Sequence, residues 1–134
     1  MEKEGKILNR IVGPKGLSTP GVDEPVDEDD PDLIGHELTR YRSLAARANY
    51  LAMDRADLQF AVKELCRQMS RPTASAWRKL IRVGKYLVHR PRLVIDFEWQ
   101  EVQNMMTTYS DANWAGCIKS RKSTSGGVVM VGQH

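Results

Sequence analysis

A change of hydrophobic period at Pro91 divides this sequence into two parts that must fold differently. Before Pro91, apolar residues recur every three or four positions, which places them on one face of an α-helix. After it, residues 93–99 are rich in β-branched and aromatic side chains, which is typical of a strand. Proline ends the helical part because it lacks a backbone donor and its ring clashes with the preceding turn. The sequence therefore predicts an α+β fold with helices first and strands after them.

Three helices are predicted from residue 38 to Pro91, the second after a possible capping box at residues 54–57 and the third after Thr73 as a possible N-cap. Each has a stripe of residues expected to face the core. These are Tyr41, Leu44, Ala45, Ala48, Leu51 and Ala52 on the first helix, Leu58, Ala61, Val62, Leu65 and Met69 on the second, and Trp77, Leu80, Ile81, Gly84, Leu87 and Val88 on the third.

Three strands are predicted after the helices, at residues 93–99, 105–109 and 128–131. Three strands with no helix on their face cannot form a good core. We therefore expect the chain to stop within a domain.

The charges are distributed unevenly along the chain. Eight of the 17 acidic residues lie between Asp23 and Glu37, where there is no Lys or Arg, whereas residues 38–134 hold 16 basic and seven acidic residues. Residues 1–38 also hold four of the six prolines, so we predict an extended, acidic and largely disordered linker there. The basic part has the charge expected of a protein that meets phosphates, although charge for solubility alone is the alternative.

Several protein classes are disfavoured by what the sequence lacks. No apolar run approaches the length needed to span a bilayer, and the N-terminus has no apolar signal-peptide region. Cys66 and Cys117 lie far apart without a ligand-spaced partner, which indicates two reduced thiols. We therefore expect an intracellular protein, cytoplasmic or nuclear, that does not bind membranes.

A carboxylate at a strand end marks the chemically most suggestive part of the chain. Asp111 lies in the sequence YSDANWAG at residues 109–116, and the basic stretch RKSTSGG follows at residues 121–127. A strand-end Asp can bind Mg²⁺, which prefers oxygen ligands. The same spacing also fits an Asp that hydrogen-bonds its own turn.

The exact sequence motifs around Asp111 are more informative about its function than its position at a strand end. The two stretches resemble (S/V)-D-A-D-W-A-G and R-(K/R)-S-T-S-G, at the opening of the ribonuclease H domain of copia-type retrotransposon Pol polyproteins. Upstream, further matches resemble the end of the reverse transcriptase in that family. They are STP at residues 18–20, YRSL at 41–44, NYL at 49–51, RADL at 55–58, AV at 61–62, MSRPT at 69–73, Trp77, and RVGKYL at 82–87.

The resemblance implies a domain organisation and partners. Residues 39–91 would be the helical, thumb-like end of a reverse transcriptase, and residues 92–134 the first strands of a truncated ribonuclease H-like domain. The implied partners are an RNA–DNA hybrid or other nucleic acid and the remainder of the Pol polyprotein.

The resemblance also implies Mg²⁺ as cofactor, with Asp111 aligned to the first of four ribonuclease H carboxylates. The other three would lie past His134, so we expect one carboxylate alone to bind Mg²⁺ weakly. Asn113 stands where the family usually has a second Asp, and no polymerase Tyr-x-Asp-Asp-type turn is recognisable.

Nucleic-acid contacts are predicted on the third helix and in the last loop, because guanidinium, ammonium and hydroxyl groups commonly contact phosphates. The predicted residues are Arg78, Lys79, Arg82, Lys85, Arg121, Lys122, Ser123 and Thr124. Ordinary surface charge is the alternative for the loop. We expect Trp114 to be a packing residue rather than a platform for base stacking, and Trp77 to be a core residue rather than a ligand contact.

Three functional hypotheses follow. The first is a Pol polyprotein fragment that binds RNA–DNA hybrids and is catalytically incomplete alone. The second is a stand-alone remnant that binds nucleic acid or protein and has no enzymatic role. In the third, another chain supplies the missing acids and completes an active enzyme.

Overall fold

The computed structural model describes residues 17–22, 29–117 and 121–134. The chain divides into two compact units, one ending at Leu93 and the other beginning at Val94. The first unit contains the helices α1 (Gly35–Leu51), α2 (Gln59–Arg67) and α3 (Ala74–His89), with a 3₁₀ turn at Ala56–Leu58 before α2. The second contains an antiparallel sheet of two strands, β1 (Met106–Asn113) and β2 (Thr124–Val131). The predicted α+β composition with three helices is confirmed.

The three helices enclose one apolar core. Tyr41, Leu58 and Leu65 are almost completely buried in it, and each such side chain contributes roughly 1.5–3 kcal/mol by leaving water. The Tyr41 hydroxyl donates a hydrogen bond of 2.9 Å to the carbonyl oxygen of Leu65, so this buried polar group is satisfied. Burial also raises the pKa of Tyr41.

The predicted stripes of α1 and α2 largely match this core. Leu51 is an exception on α1, because its side chain is 39% exposed at the end of that helix. The buried members of the two stripes and the turn before α2 are Tyr41, Ala45, Ala48, Ala52, Leu58, Ala61, Val62 and Leu65.

The inward face of α3 differs from the prediction by about a quarter turn. Its buried residues are Ala76, Leu80, Val83 and Tyr86. Trp77, Ile81, Gly84 and Leu87 are only half-buried, and Val88 is exposed. The small Ala76 and the amphipathic Tyr86 face the other helices, because α1 and α2 fix the rotation of α3 and local hydrophobicity does not.

Trp77 is therefore not a fully buried core residue. Its ring packs at the edge of the core, and the guanidinium carbon of Arg40 lies 5.7 Å from the ring centroid. This geometry is a cation–π contact, which suits an indole that is partly in water.

The start of α3 is held by residues from the predicted linker. Thr73 occupies the N-cap position but makes no side-chain cap hydrogen bond. Instead, the backbone N–H of Ser75 donates to Asp30 Oδ1 at 2.8 Å, and the Ser75 hydroxyl donates to the other oxygen of Asp30. A carboxylate here satisfies a helix-terminal donor and is favoured by the helix dipole. The cap therefore comes from 45 residues earlier in the chain.

Further backbone contacts attach the residues before α1 to the loop between α2 and α3. The Leu33 N–H donates to Pro72 O at 2.8 Å, and Ala74 N–H donates to Pro31 O at 2.9 Å. Helix α1 itself begins at Gly35, within the stretch predicted as linker. The prediction of a disordered linker concerns mostly residues 1–16 and 23–28, which lie outside the described residues. Residues 29–34 of the same stretch make contacts with the helical unit that the sequence did not predict.

A buried charge cluster joins the 3₁₀ turn to the end of α3. The Arg55 side chain is 8% exposed and donates two hydrogen bonds to the Asp57 carboxylate, at 2.9 and 2.8 Å. It also donates to the carbonyl oxygens of Arg90 at 3.0 Å and Pro91 at 3.3 Å. The Tyr86 hydroxyl donates to Asp57 at 2.6 Å. The Asp57 carboxylate therefore accepts hydrogen bonds from Arg55 and Tyr86. The predicted capping box at residues 54–57 is wrong, since neither the 3₁₀ turn nor α2 has a side-chain cap.

The sheet of the second unit pairs Met106 with Val131 at one end and Asn113 with Thr124 at the other. Residues 93–99 form no strand, so the prediction of a strand there is wrong. β-Propensity only describes how well a side chain fits a paired surface, and no neighbouring strand pairs with this segment in the described structure.

Both faces of the two-stranded sheet are open within the second unit. Tyr109 and Val129 are each more than half exposed, and Trp114 after β1 is 93% exposed. The prediction that Trp114 is a packing residue is therefore wrong for this unit. A lone hairpin offers no second layer against which an indole could pack.

Within the described residues, none of the helices combines the length and apolar character required to cross a bilayer. Cys66 and Cys117 are not joined in a disulfide, and burial raises the pKa of the Cys66 thiol.

We predict that Asp57→Ala lowers the free energy of unfolding by about 3 kcal/mol, because it leaves the Arg55 guanidinium buried without its counter-charge. Tyr86→Phe should cost about 1 kcal/mol through one lost hydrogen bond. Urea denaturation followed by helical circular dichroism measures both. Glu64→Gln is the matched control, since Glu64 pairs with Lys63 and Arg67 on the surface and should change stability by less than about 1 kcal/mol. Equal effects of Asp57→Ala and Glu64→Gln would contradict the assignment of a buried cluster.

The same cluster predicts how stability depends on pH. Hydrogen bonds from Arg55 and then Tyr86 outweigh burial and lower the pKa of Asp57 from 3.8 to about 2. A depressed carboxyl pKa stabilises the fold above the unfolded pKa, and this stabilisation is lost as the pH falls through the folded value. We expect a loss of about 2 kcal/mol between pH 5 and pH 2 that Asp57→Asn removes. An identical acid-side decline in wild type and Asp57→Asn would refute this.

Candidate nucleic-acid interface

Basic residues of α3 lie on the side opposite its buried face. The helical period puts Arg78, Arg82 and Lys85 within about 60° of one another and turns them away from Leu80 and Val83. Arg78 is exposed, whereas Arg82 and Lys85 are half-buried. We call these three residues with the neighbouring Lys79 the basic flank of α3.

Lys79 lies at the border of the flank. Its position around the helix falls between the buried Tyr86 and the buried Val83, about 60° from Arg82. Its side chain is half-buried, so its aliphatic stem covers apolar surface while the ammonium can reach water.

Two of the flank residues already have neighbours in the fold. The Nη2 atom of Arg82 donates a hydrogen bond of 3.0 Å to the hydroxyl of Thr19. Arg78 lies near the Asp30 carboxylate. Partial burial alone would raise the pKa of Asp30, but hydrogen bonds from Ser75 and the positive charge of Arg78 contribute to lowering it. The flank is therefore partly neutralised at the N-terminal end of α3.

Other arginines of the helical unit have structural roles. Arg42 donates from Nε to Met69 O at 2.8 Å and from Nη2 to Ser70 O at 2.9 Å, which satisfies carbonyls at the end of the α2 segment. Arg71 pairs with Asp32 at 2.7 Å on the surface. These contacts distinguish arginines that hold the fold from those of the basic flank.

The other predicted contacts lie in the loop between β1 and β2. Arg121 and Lys122 are exposed, and Arg121 has a φ of 53°. The Arg121 N–H donates to Cys117 O at 2.7 Å, and Cys117 N–H donates to Lys122 O at 3.2 Å. These two backbone hydrogen bonds connect Cys117 with residues 121 and 122, whose basic side chains are exposed to solvent.

The Ser123 hydroxyl and the Thr124 backbone N–H both make hydrogen bonds that close the loop. The Ser123 hydroxyl accepts a hydrogen bond of 3.0 Å from Ala115 N–H. The Thr124 N–H donates to Asn113 Oδ1 at 2.5 Å. A Cβ added at Gly116 would lie 2.1 Å from Asn113 Nδ2, so this glycine leaves room for the amide. Asn113 is therefore a loop-closing residue.

Asp111 does not lie in a preformed metal site. It is exposed in β1, opposite Gly126. Across residues 17–22, 29–117 and 121–134, no three His, Cys, Asp or Glu side chains are grouped closely enough to hold a metal ion. The donor set present here does not fit the Mg²⁺ that the resemblance implies, because hard divalent cations need several oxygen ligands.

The structure therefore separates the predicted residues into three sets. Four form the basic flank in the first unit, four lie in the β1–β2 loop or, for Thr124, at the start of β2 in the second unit, and Asp111 stands in β1 without grouped acids. The contacts of Thr19 and Asp30 with α3 were not predicted. Thr19 lies in the Ser-Thr-Pro motif, which was the one signal that could have drawn attention to it. No sequence feature distinguishes Asp30 from the other acidic residues around it.

Comparisons with known proteins give a consistent result. The chain is 38% identical over 96 residues to the retrovirus-related Pol polyprotein from transposon RE2 of Arabidopsis thaliana, and 34% identical over 96 residues to that from transposon RE1. Each match covers 72% of this chain and 6% of the relative, so the chain spans a small part of the Pol polyproteins.

A shorter relative also matches. The chain is 37% identical over 87 residues to the secreted RxLR effector protein 161 of Plasmopara viticola, covering 64% of this chain and 61% of that protein. No protein-family model matches the chain, and no solved structure does. The resemblance read from the motifs is confirmed, and the chain is related to a segment of the retrotransposon Pol polyproteins.

Proposed function

We propose that the chain is a segment of a copia-type Pol polyprotein that binds RNA–DNA hybrid or related nucleic acid through the basic flank of α3. In this proposal residues 39–91 correspond to the thumb-like end of the reverse transcriptase. Residues 92–134 correspond to the first strands of the ribonuclease H-like domain. The observation that carries the binding proposal is the placement of Arg78, Arg82 and Lys85 within about 60° of one another on a helix whose buried face is anchored in the core.

The flank has the properties that phosphate binding requires. A helix fixed by a core presents its cationic groups at defined spacing, and cationic side chains release counterions when they meet phosphates. The neighbouring Asp30 limits the field at one end of the helix and leaves the end near Lys85 the more positive. This arrangement favours contact with the sugar-phosphate backbone of a nucleic acid and does not provide sequence-specific contacts with its bases.

The loop between β1 and β2 would add contacts from the second unit. Its exposed Arg121 and Lys122 are suited to phosphates, whereas the Ser123 hydroxyl already accepts a hydrogen bond from Ala115 and the Thr124 side chain is half-buried. We therefore assign the two charged residues the larger part of any contact made there.

We further propose that the chain alone does not cleave RNA. A two-metal hydrolysis needs carboxylates that hold both ions, and Asp111 provides one. The described residues add no grouped acids to it. Binding without hydrolysis is the activity that these residues support.

A second function is favoured by the shorter relative. Because the similarity covers 61% of that protein, a related sequence makes up most of a protein much shorter than the Pol polyproteins. A stand-alone remnant that binds nucleic acid or protein, without enzymatic role, is therefore the alternative. A chain that binds protein partners but no nucleic acid at low salt would favour it.

Hybrid binding should depend steeply on salt. With three to four phosphate contacts, the logarithm of the association constant should fall with the logarithm of salt concentration with a slope of about −3. Fluorescence anisotropy with a labelled RNA–DNA hybrid at several salt concentrations measures the slope.

Substitutions locate the contacts. Arg78→Gln and Lys85→Gln should each weaken binding and reduce the magnitude of the slope by about 1, irrespective of the hybrid sequence. Arg47→Gln is the matched control, since Arg47 is an exposed arginine of α1 outside the flank. An effect of Arg47→Gln equal to that of Arg78→Gln would show non-specific charge attraction and contradict the proposed interface.

Catalysis is tested by incubating the chain with Mg²⁺ and a hybrid labelled in its RNA strand, with an authentic ribonuclease H as the positive control. We expect no cleavage above background. Cleavage that Asp111→Asn abolishes would show that an active site assembles, for instance by association of chains, and would overturn the proposal.

A further inference from the structure

A threonine followed by proline lies against the basic flank. Thr19 is exposed, and its hydroxyl accepts the 3.0 Å hydrogen bond from Arg82. Residues 19–22 line a shallow groove together with Asp57, Phe60 and Ala61, so the segment lies against α2 and the turn before it. The hydroxyl is thus held at a fixed place beside α3 while it remains accessible to solvent.

Arg82 is incompletely satisfied in this arrangement. Its Nε atom is buried and has no hydrogen-bond partner, and no carboxylate pairs with its guanidinium within the described ranges. A neutral hydroxyl therefore stands where a guanidinium would favour an anion. Arg78 and Lys85 lie one turn before and one turn after Arg82 and add positive charge. The Asp57 carboxylate lines the same groove as Thr19, but it is already paired with Arg55.

We propose that Thr19 is a phosphorylation site for a proline-directed protein kinase and that its phosphate regulates the basic flank of α3. Pro20 restricts Thr19 to extended conformations, the form in which kinases bind their substrate segments. In the reaction the Thr19 oxygen attacks the γ-phosphorus of ATP, the new O–P bond forms as the bond to ADP breaks, and the hydroxyl proton passes to a base of the kinase. The modification site stands on its own geometry, whereas its regulatory effect rests on the proposed function.

The physical effect follows from charge. Phosphothreonine carries about −1.5 to −2 charges near neutral pH and presents three strong acceptor oxygens. Placed beside Arg82, it would form charge-assisted hydrogen bonds that the neutral hydroxyl cannot form. The phosphate would also occupy the middle of the flank and compete with nucleic-acid phosphates. Phosphorylation therefore stabilises the helical unit and weakens binding.

The experiment treats the full chain with a proline-directed serine/threonine kinase and ATP, and mass spectrometry locates the phosphate. Thr19→Val is the negative control, and Ser18→Ala is the matched control because Ser18 is not followed by proline. A synthetic peptide of residues 15–24 shows that the kinase accepts the local sequence. We expect one phosphate at Thr19 in wild type and Ser18→Ala.

Two further readouts test the role of Arg82. Phosphorylation should raise the Tm of the helical transition by about 3 °C. The rise should be absent in Arg82→Gln. The affinity for the RNA–DNA hybrid should fall about tenfold on phosphorylation of wild type at fixed salt.

The possible outcomes test the modification site, the pairing with Arg82 and the regulation separately. A peptide that is phosphorylated while Thr19 in the folded chain is not would overturn the modification site. A Tm rise that persists in Arg82→Gln would overturn the pairing. If the unmodified chain binds no hybrid, the proposed function and the regulation fail together, while the site and the pairing are still decided by mass and Tm. Unchanged affinity despite phosphorylation and a Tm rise would overturn the regulation alone.

Discussion

The buried guanidinium of Arg55 is the constraint on which the helical unit depends. Without Asp57 and Tyr86, a cationic group at this depth would be far less stable than in water. Its hydrogen bonds to the carbonyl oxygens of Arg90 and Pro91 fix the end of α3 against the turn before α2. By holding Tyr86 inward, this cluster limits the rotation of α3 about its axis. Arg78, Arg82 and Lys85 lie about 40–100° around the helix from Tyr86 and outside the buried face.

Sequence patterns predicted those parts of the fold that local chemistry determines. The number of helices, the stop near Pro91 and most inward residues of α1 and α2 followed from the apolar period. The rotation of α3 did not, because Tyr86 faces inward for its hydrogen bond to Asp57, 29 residues away. Thr73 also illustrates this limit: it has the position of an N-cap, yet Asp30 provides the cap from far along the chain. Contacts over such separations have no periodic signature.

In the second unit, local propensity predicts more structure than forms. Residues 93–99 have strand-forming composition but no strand beside them, and Trp114 has an apolar ring but nothing to cover it. The hairpin itself was foreseeable, since β1 and β2 flank a polar loop with glycine. The loop structure gives Asn113 a clear role, because its side-chain oxygen accepts from the Thr124 N–H. The Asp that the family usually has at this position could accept the same bond, so the departure from the family pattern is compatible with the loop. Asp111 remains a predicted catalytic position whose partners were never expected in this stretch of chain.

The central claim is that the outward side of α3 meets nucleic acid while its inward side holds the fold. Nuclear magnetic resonance of the ¹⁵N-labelled chain, titrated with an RNA–DNA hybrid at low salt, tests it directly. The account predicts progressive shifts of the backbone and side-chain N–H signals of Arg78 and Arg82, with little change at the buried Arg55 and the exposed Arg47. Shifts confined to residues outside α3, or none at saturating hybrid, would contradict it.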